Sequence, residues 1–176
     1  MSSRSPESSA LARSLHDVEP VLRGLARSDR APIESILRAT GVFNDAEVAV
    51  ALELVDAPSE VGYRFLVAEC DGRVAGYACF GATPMTDGVF DLYWIAVDPT
   101  LHGQGIGRRL MDATRAAVRA TSGRMIVIET ASKPSYDATR AFYLAYGCRE
   151  VARIPDFYAR GDDKVTYVVA LDRAER

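Results

Sequence analysis

The stretch Val97-Asp98-Pro99-Thr100-Leu101-His102-Gly103-Gln104-Gly105-Ile106-Gly107-Arg108-Arg109-Leu110 constrains this chain more than any other. A run with strand character over 90–97 gives way to a proline, and glycines follow at 103, 105 and 107. A helical periodicity then begins at Ile106 and Leu110. Glycine has no Cβ, so its backbone approaches a ligand closely and takes conformations other residues avoid. A helix that starts there presents unpaired N–H groups and the positive end of its dipole. The residues therefore read as a strand, a tight loop and a helix, with a seat for a phosphate or diphosphate at the junction. A glycine-rich connection without a ligand is the other reading these residues leave open.

Two familiar phosphate loops do not fit. A Walker A loop carries Lys and then Ser or Thr after its last glycine, where this chain has Arg108-Arg109. A dinucleotide fingerprint needs G-x-G-x-x-G, and position 110 is leucine. A nucleotide-binding module of another kind is disfavoured on both counts.

The rest of the chain narrows the field further. Its 176 residues suit one domain with a real core. With 48% hydrophobic and 26% charged residues it has the make-up of a globular protein. A net charge of -3 argues against a nucleic-acid surface. Apolar runs are strand-sized, well short of the ~20 residues of a membrane span, so no membrane partner is expected. The Ser-rich start lacks the apolar segment of a signal peptide, which predicts a cytoplasmic protein with a flexible tail over 1–16 and one domain over 17–176. Cys70, Cys79 and Cys148 are odd in number and lack metal-ligand spacing, so they read as reduced core thiols. With His16 and His102 the only histidines, no metal site is expected.

Turn and cap signals divide the chain into elements. A first strand over 18–25 precedes a helix capped by Ser28 or Asp29, with Ile33, Ile36 and Leu37 as its apolar stripe. Asn44 with Glu47 forms a capping box for a second helix reaching Pro58. Strands over 65–70 and 74–80 flank Asp71-Gly72, a hairpin signal, and 83–88 is a loop before the strand at 90–97. The helix after the glycines leads to a buried strand over 125–129, parallel to its predecessor across the crossover. A helix over 136–146 stops at Gly147, and strands near Val151 and over 165–171 close the chain. The expectation is an α+β domain in layers: a mixed, mostly antiparallel sheet of six to seven strands with helices on both faces.

At this point the chain resembles the GNAT superfamily of N-acetyltransferases. Their diphosphate loop reads (Gln or Arg)-x-x-Gly-x-(Gly or Ala), which His102-Gly103-Gln104-Gly105-Ile106-Gly107 matches except that His102 takes the first place. Tyr136-Asp137-Ala138-Thr139-Arg140-Ala141-Phe142-Tyr143-Leu144-Ala145-Tyr146-Gly147 looks like the family's penultimate helix, with Cys148 where an aromatic is common. The resemblance covers roughly 22–171 and is strongest over 91–147.

The resemblance implies acetyl-CoA as donor, no metal, and direct transfer of the acetyl group to a primary amine. Gly103, Gln104, Gly105, Ile106, Gly107 and Arg108, with His102, would hold the diphosphate; Arg109 is a further candidate. The backbone of Ile95, Ala96 and Val97 would pair with the pantetheine arm and stabilise the oxyanion. Tyr136 stands where many relatives carry Asn toward that arm.

The chemistry defines the remaining roles. An amine attacks only when neutral, yet a lysine-like amine has a pKa of ~10.4, so a base must take its proton. Asp91 and Glu129 are the two candidates, and strand alternation puts Asp91, Tyr93 and Ile95 on one face. The resemblance makes Tyr143, at the place of the family's thiolate-protonating tyrosine, the candidate general acid for the departing sulfur, with an amphipathic core tyrosine as the plain alternative. The acceptor, a small-molecule or peptide amine, would meet the first helices, the 83–88 loop and the acidic, aromatic segment 156–163. A non-catalytic acyl-CoA sensor on the same fold is the alternative function. A homodimer is among the assemblies the resemblance allows.

Overall fold

The alternation of the central strands follows from what covers each face of one sheet. The structure, a computed structural model, describes residues 19–57 and 61–171, so the tail expected over 1–16 lies outside it. The elements run β1 (Val21–Arg23), α1 (Arg30–Ala39), α2 (Asp45–Asp56), β2 (Arg64–Cys70), β3 (Arg73–Ala82), β4 (Val89–Val97), α3 (Ile106–Ala120), β5 (Met125–Ala131), α4 (Asp137–Tyr146), β6 (Arg149–Ala159) and β7 (Asp162–Ala170). The seven strands form one sheet in the order β1-β2-β3-β4-β5-β7-β6. Every pairing is antiparallel except β4 with β5, which α3 joins by a crossover. This is the layered α+β sheet expected from the sequence.

Each face carries its own core. Leu110, Met111 and Val118 of α3 and Tyr143 of α4 pack on Phe90, Leu92, Ile126, Ile128, Val165 and Tyr167. On the opposite face Ile33, Leu37, Val48 and Leu52 of α1 and α2 cover Val67, Tyr77, Cys79 and Ala96. Among the described residues no helix is long and apolar enough to cross a membrane.

Local signals are realised where their partners are local. Glu47 N–H donates to Asn44 Oδ1 at 2.9 Å and Asn44 N–H to Glu47 Oε2 at 2.7 Å, the reciprocal capping box. Asp71 (φ 49°) and Gly72 (φ 72°) make the hairpin turn between β2 and β3. Asp29 departs from expectation, because its side chain does not cap α1. It is 2% exposed and accepts from the Arg23 guanidinium at 2.7 and 2.9 Å and from Ala26 N–H at 2.7 Å. The guanidinium holds its carboxyl below the usual range, and the residue anchors β1 to α1. Likewise β6 runs on to Ala159, so 156–159 belong to a strand and the turn is reduced to 160–161.

A bulge in β4 has the largest consequence. Cys79 faces Trp94 while Phe80 faces Leu92, so Tyr93 is an extra residue with no partner on β3. The bulge resets the alternation. Phe90 and Leu92 point to the α3/α4 core, and so do Ile95 and Val97, whereas Trp94 and Ala96 join the α1/α2 core. The expectation that Asp91, Tyr93 and Ile95 share a face is therefore wrong for Ile95, which lies across the sheet from Asp91. Pairing of β4 with β5 ends at the same level, covering only 89–92 against 125–128. Beyond it β4 continues to Val97 and β5 to Ala131 as two arms of a splay.

Candidate active site

The glycine loop sits at the tip of the β4 arm. Gly103 (φ 81°) and Gly105 (φ 78°) are left-handed, and Gly105 is the N-cap of α3. At Gly107 the demand is space, since a Cβ there would stand 3.2 Å from the Phe142 ring, where α4 crosses the start of α3. The first bond of the helix runs from Arg109 N–H to the Gly105 carbonyl at 3.1 Å. The amides of Ile106, Gly107 and Arg108 precede it and have no intrahelical acceptor. Bare amides at a positive helix end form a donor set that suits a diphosphate.

The larger side chains of the loop are turned elsewhere. His102 Nε2 lies 3.1 Å from the Val97 carbonyl, so the ring closes onto the end of β4. The Arg108 guanidinium stands over the Tyr146 ring at 5.4 Å, and Arg109 pairs with Glu19. The seat is accordingly a main-chain one, with the half-buried Gln104 beside it.

Tyr143 lies on the α3/α4 side of the splay. It is 5% exposed, its ring packed between Phe142 (5.5 Å) and Tyr167 (5.7 Å). Burial pushes its phenol well above the usual value of 10.0, so the hydroxyl stays protonated.

The two carboxylates are placed differently. Asp91 stands opposite Val127 where β4 and β5 still pair, and its Oδ2 accepts from Thr83 Oγ1 at 2.7 Å. Glu129 follows the last paired residue, Ile128, and so opens onto the splay. Its side chain is 48% exposed, with Lys164 Nζ at 2.9 Å. Both carboxylates occupy the face opposite Tyr143, because Phe90, Leu92 and Ile128 take the α3/α4 side.

An aromatic strip occupies that face. Tyr136 is buried, donates to Glu47 Oε1 at 3.3 Å and meets the Phe43 ring edge at 6.3 Å; Phe43 in turn reaches Trp94 at 6.4 Å. Burial, then Glu47, raises the Tyr136 phenol above its usual value. Tyr158 borders the same patch, its phenol raised by burial and by the charges of Glu129, Asp162 and Glu47. Two hollows of about 380 and 490 Å³ lie elsewhere, by Arg115 and Tyr146 and by Ser28 and Pro32.

Residues 162–163, which the sequence presents only as a polar turn, tie the site together. Asp162 Oδ1 accepts from the amides of Ser132 and Lys133 at 3.0 and 3.1 Å, and Asp163 N–H donates to Ser132 Oγ at 2.7 Å. Arg140 adds a bond to the Ala131 carbonyl at 2.7 Å. These contacts fix the connection from β5 to α4, and hence the height of Tyr143 above the splay. Asp162→Ala is expected to lower stability by about 1–3 kcal/mol, the cost of stranding partly buried amides. A urea midpoint that falls at unchanged m-value checks it.

Comparison with known proteins identifies the class. The family model described as acetyltransferase (GNAT) domain matches residues 61–150. A protein assigned to the GNAT family from Desulfovibrio desulfuricans shares 38% identity and superposes with a TM-score of 0.84, covering 88% of this chain and 100% of that one. An acetyltransferase-assigned protein from Salmonella typhimurium, solved with its cofactor acetyl-CoA, gives 22% identity and a TM-score of 0.70 over 90% of this chain and 97% of that one. The ribosomal-protein-S18-alanine N-acetyltransferase of Escherichia coli gives 18% and 0.71 over the same shares, 90% and 97%. No curated protein matches by sequence. The chain belongs to the GNAT acetyltransferase family. The fold and family expected from the two motifs are thereby borne out.

Proposed function

We propose that the chain is an acetyl-CoA-dependent N-acetyltransferase acting on a primary amine carried by a small molecule or a peptide. One observation carries the reading: a strand splay has a bare helix N-terminus at its tip, a protonated tyrosine on one side of the sheet and a solvent-reaching carboxylate on the other. When bound, acetyl-CoA supplies an activated acyl thioester.

This chain's residues do the rest. The amides at 106–108 hold the diphosphate, and the open edge of Ile95, Ala96 and Val97 aligns the arm and faces the carbonyl oxygen. Glu129, directly or through water, takes the proton from the incoming ammonium. Tyr143 Oη gives its proton to the sulfur as the thioester C–S bond breaks, and the second proton that the nitrogen loses on becoming an amide returns through solvent to the phenolate. The base and the acid lie on opposite faces of the sheet, so the amine reaches the carbonyl from one side and the departing sulfur meets its proton on the other. Asp91, held by Thr83 below the splay, is the less suited of the two carboxylates.

A binding and turnover experiment tests the reading. Acetyl-CoA at about 100 times its dissociation constant is expected to stabilise the fold by about 2.7 kcal/mol, with ATP and NAD giving no shift. Thiol release on a panel of small and peptide amines is expected to follow. Stabilisation without thiol release from any amine overturns catalysis in favour of a sensor.

A further inference from the structure

One polar group beside the splay has no role in the chemistry above. Thr130 on β5 is 6% exposed, and among the described residues its Oγ1 has no hydrogen-bond partner. It stands opposite Val165, a residue of the α3/α4 core, so it points to the same face as Tyr143. It lies two residues past Ile128, the last on β5 to pair with β4, and therefore on the arm of the splay. The cross-strand partner of Ile128 is Tyr167, whose ring packs at a tilt against Tyr143, 5.7 Å between centroids.

A buried hydroxyl normally finds an acceptor. Thr114, equally enclosed in α3, does so by donating to the Leu110 carbonyl at 2.8 Å. Thr130 has no such outlet: its strand neighbour β7 is engaged in the ladder on one side, and on the other β4 has already diverged. Valine has nearly the same shape and leaves no donor stranded, and β5 already uses Val127 with Ile126 and Ile128. A stranded hydroxyl on the β5 arm, past the last β4–β5 pair, is placed where a ligand seated between the arms can supply the missing partner. The pantetheine arm carries secondary amides, whose carbonyls accept what a hydroxyl donates.

We propose that Thr130 Oγ1 donates a hydrogen bond to an amide carbonyl of the pantetheine arm in the splay and so sets how deeply the arm enters. The inference rests on the acetyl-CoA reading, and the test separates the two. Thr130→Val and Thr130→Ser are compared with the native chain by thermal unfolding without ligand and by calorimetric titration with CoA, which measures binding without turnover.

The expected result is a Val variant that unfolds at or above the native temperature yet binds CoA about tenfold more weakly, the worth of one ordinary hydrogen bond. The Ser variant, which keeps the donor, is expected to bind within about threefold of native. Native affinity in the Val variant, or equal loss in both variants, overturns the proposal, as does a Val variant that unfolds several degrees early. A native chain that does not bind CoA overturns the acetyl-CoA reading itself.

Discussion

Tyr143→Phe is expected to lower turnover about 10²–10⁴-fold while leaving acetyl-CoA affinity within about a factor of two. The substitution removes one oxygen and nothing else. The ring packs against Phe142 and Tyr167 at 5.5 and 5.7 Å, contacts that phenylalanine preserves, so neither a cavity nor a shift of α4 follows. The lost function is a proton held where sulfur leaves. Burial raises the Tyr143 phenol well above its usual value of 10.0, so it stays protonated through the neutral and mildly alkaline range. The acid is therefore present at every working pH, and the native rate should show no descending limb due to Tyr143 below about pH 10. Steady-state kinetics on the best amine, with a CoA titration of both proteins, checks the split between turnover and affinity. Unchanged turnover in the Phe variant would return Tyr143 to the role of a core aromatic.

Sequence and structure agree where the determining interactions are short-range. The Asn44–Glu47 box, the Asp71-Gly72 turn and the left-handed Gly105 and Gly147 are each satisfied within a few residues, and each is visible as a pattern. The crossover from β4 to β5 is also legible, because a strand, a helix and a strand in succession leave one favoured handedness and a parallel pair. The bulge at Tyr93 is not legible, since no glycine or proline marks it and its cause is the register that β3 imposes. A strict period of two then assigns Ile95 to the wrong face. Side-chain directions in the loop fail to read for the same reason. His102 turns to the Val97 carbonyl and Arg108 to a ring on another helix, partners fixed only after folding. Asp162 and Asp163 look like solvated turn residues because their partners at 132–133 are some thirty positions away. The main-chain half of the site is thus written in glycine spacing, and the side-chain half is a product of packing.

Glu129→Gln is expected to lower the rate at neutral pH about 10²–10³-fold and to displace the ascending limb of the pH–rate profile toward alkaline pH, whereas Asp91→Asn keeps the native limb and stays within about threefold of the native rate. The sequence leaves these carboxylates equivalent. The structure separates them by one step of strand pairing. Asp91 belongs to the last closed part of the β4–β5 ladder and is engaged by Thr83 Oγ1 at 2.7 Å. Glu129 comes after the final pair, reaches solvent, and lies close enough to Tyr158 for its charge to be felt there. Lys164, 2.9 Å from Glu129, orients the carboxylate, and an incoming ammonium would compete with it for the same oxygen. Glutamine keeps the shape and loses proton affinity, so a rising rate at alkaline pH, where the amine sheds its proton unaided, should partly restore the variant. Profiles of the three proteins from pH 6 to 10 decide the matter. Displacement of the limb in Asp91→Asn and an undisplaced limb in Glu129→Gln would reverse the assignment.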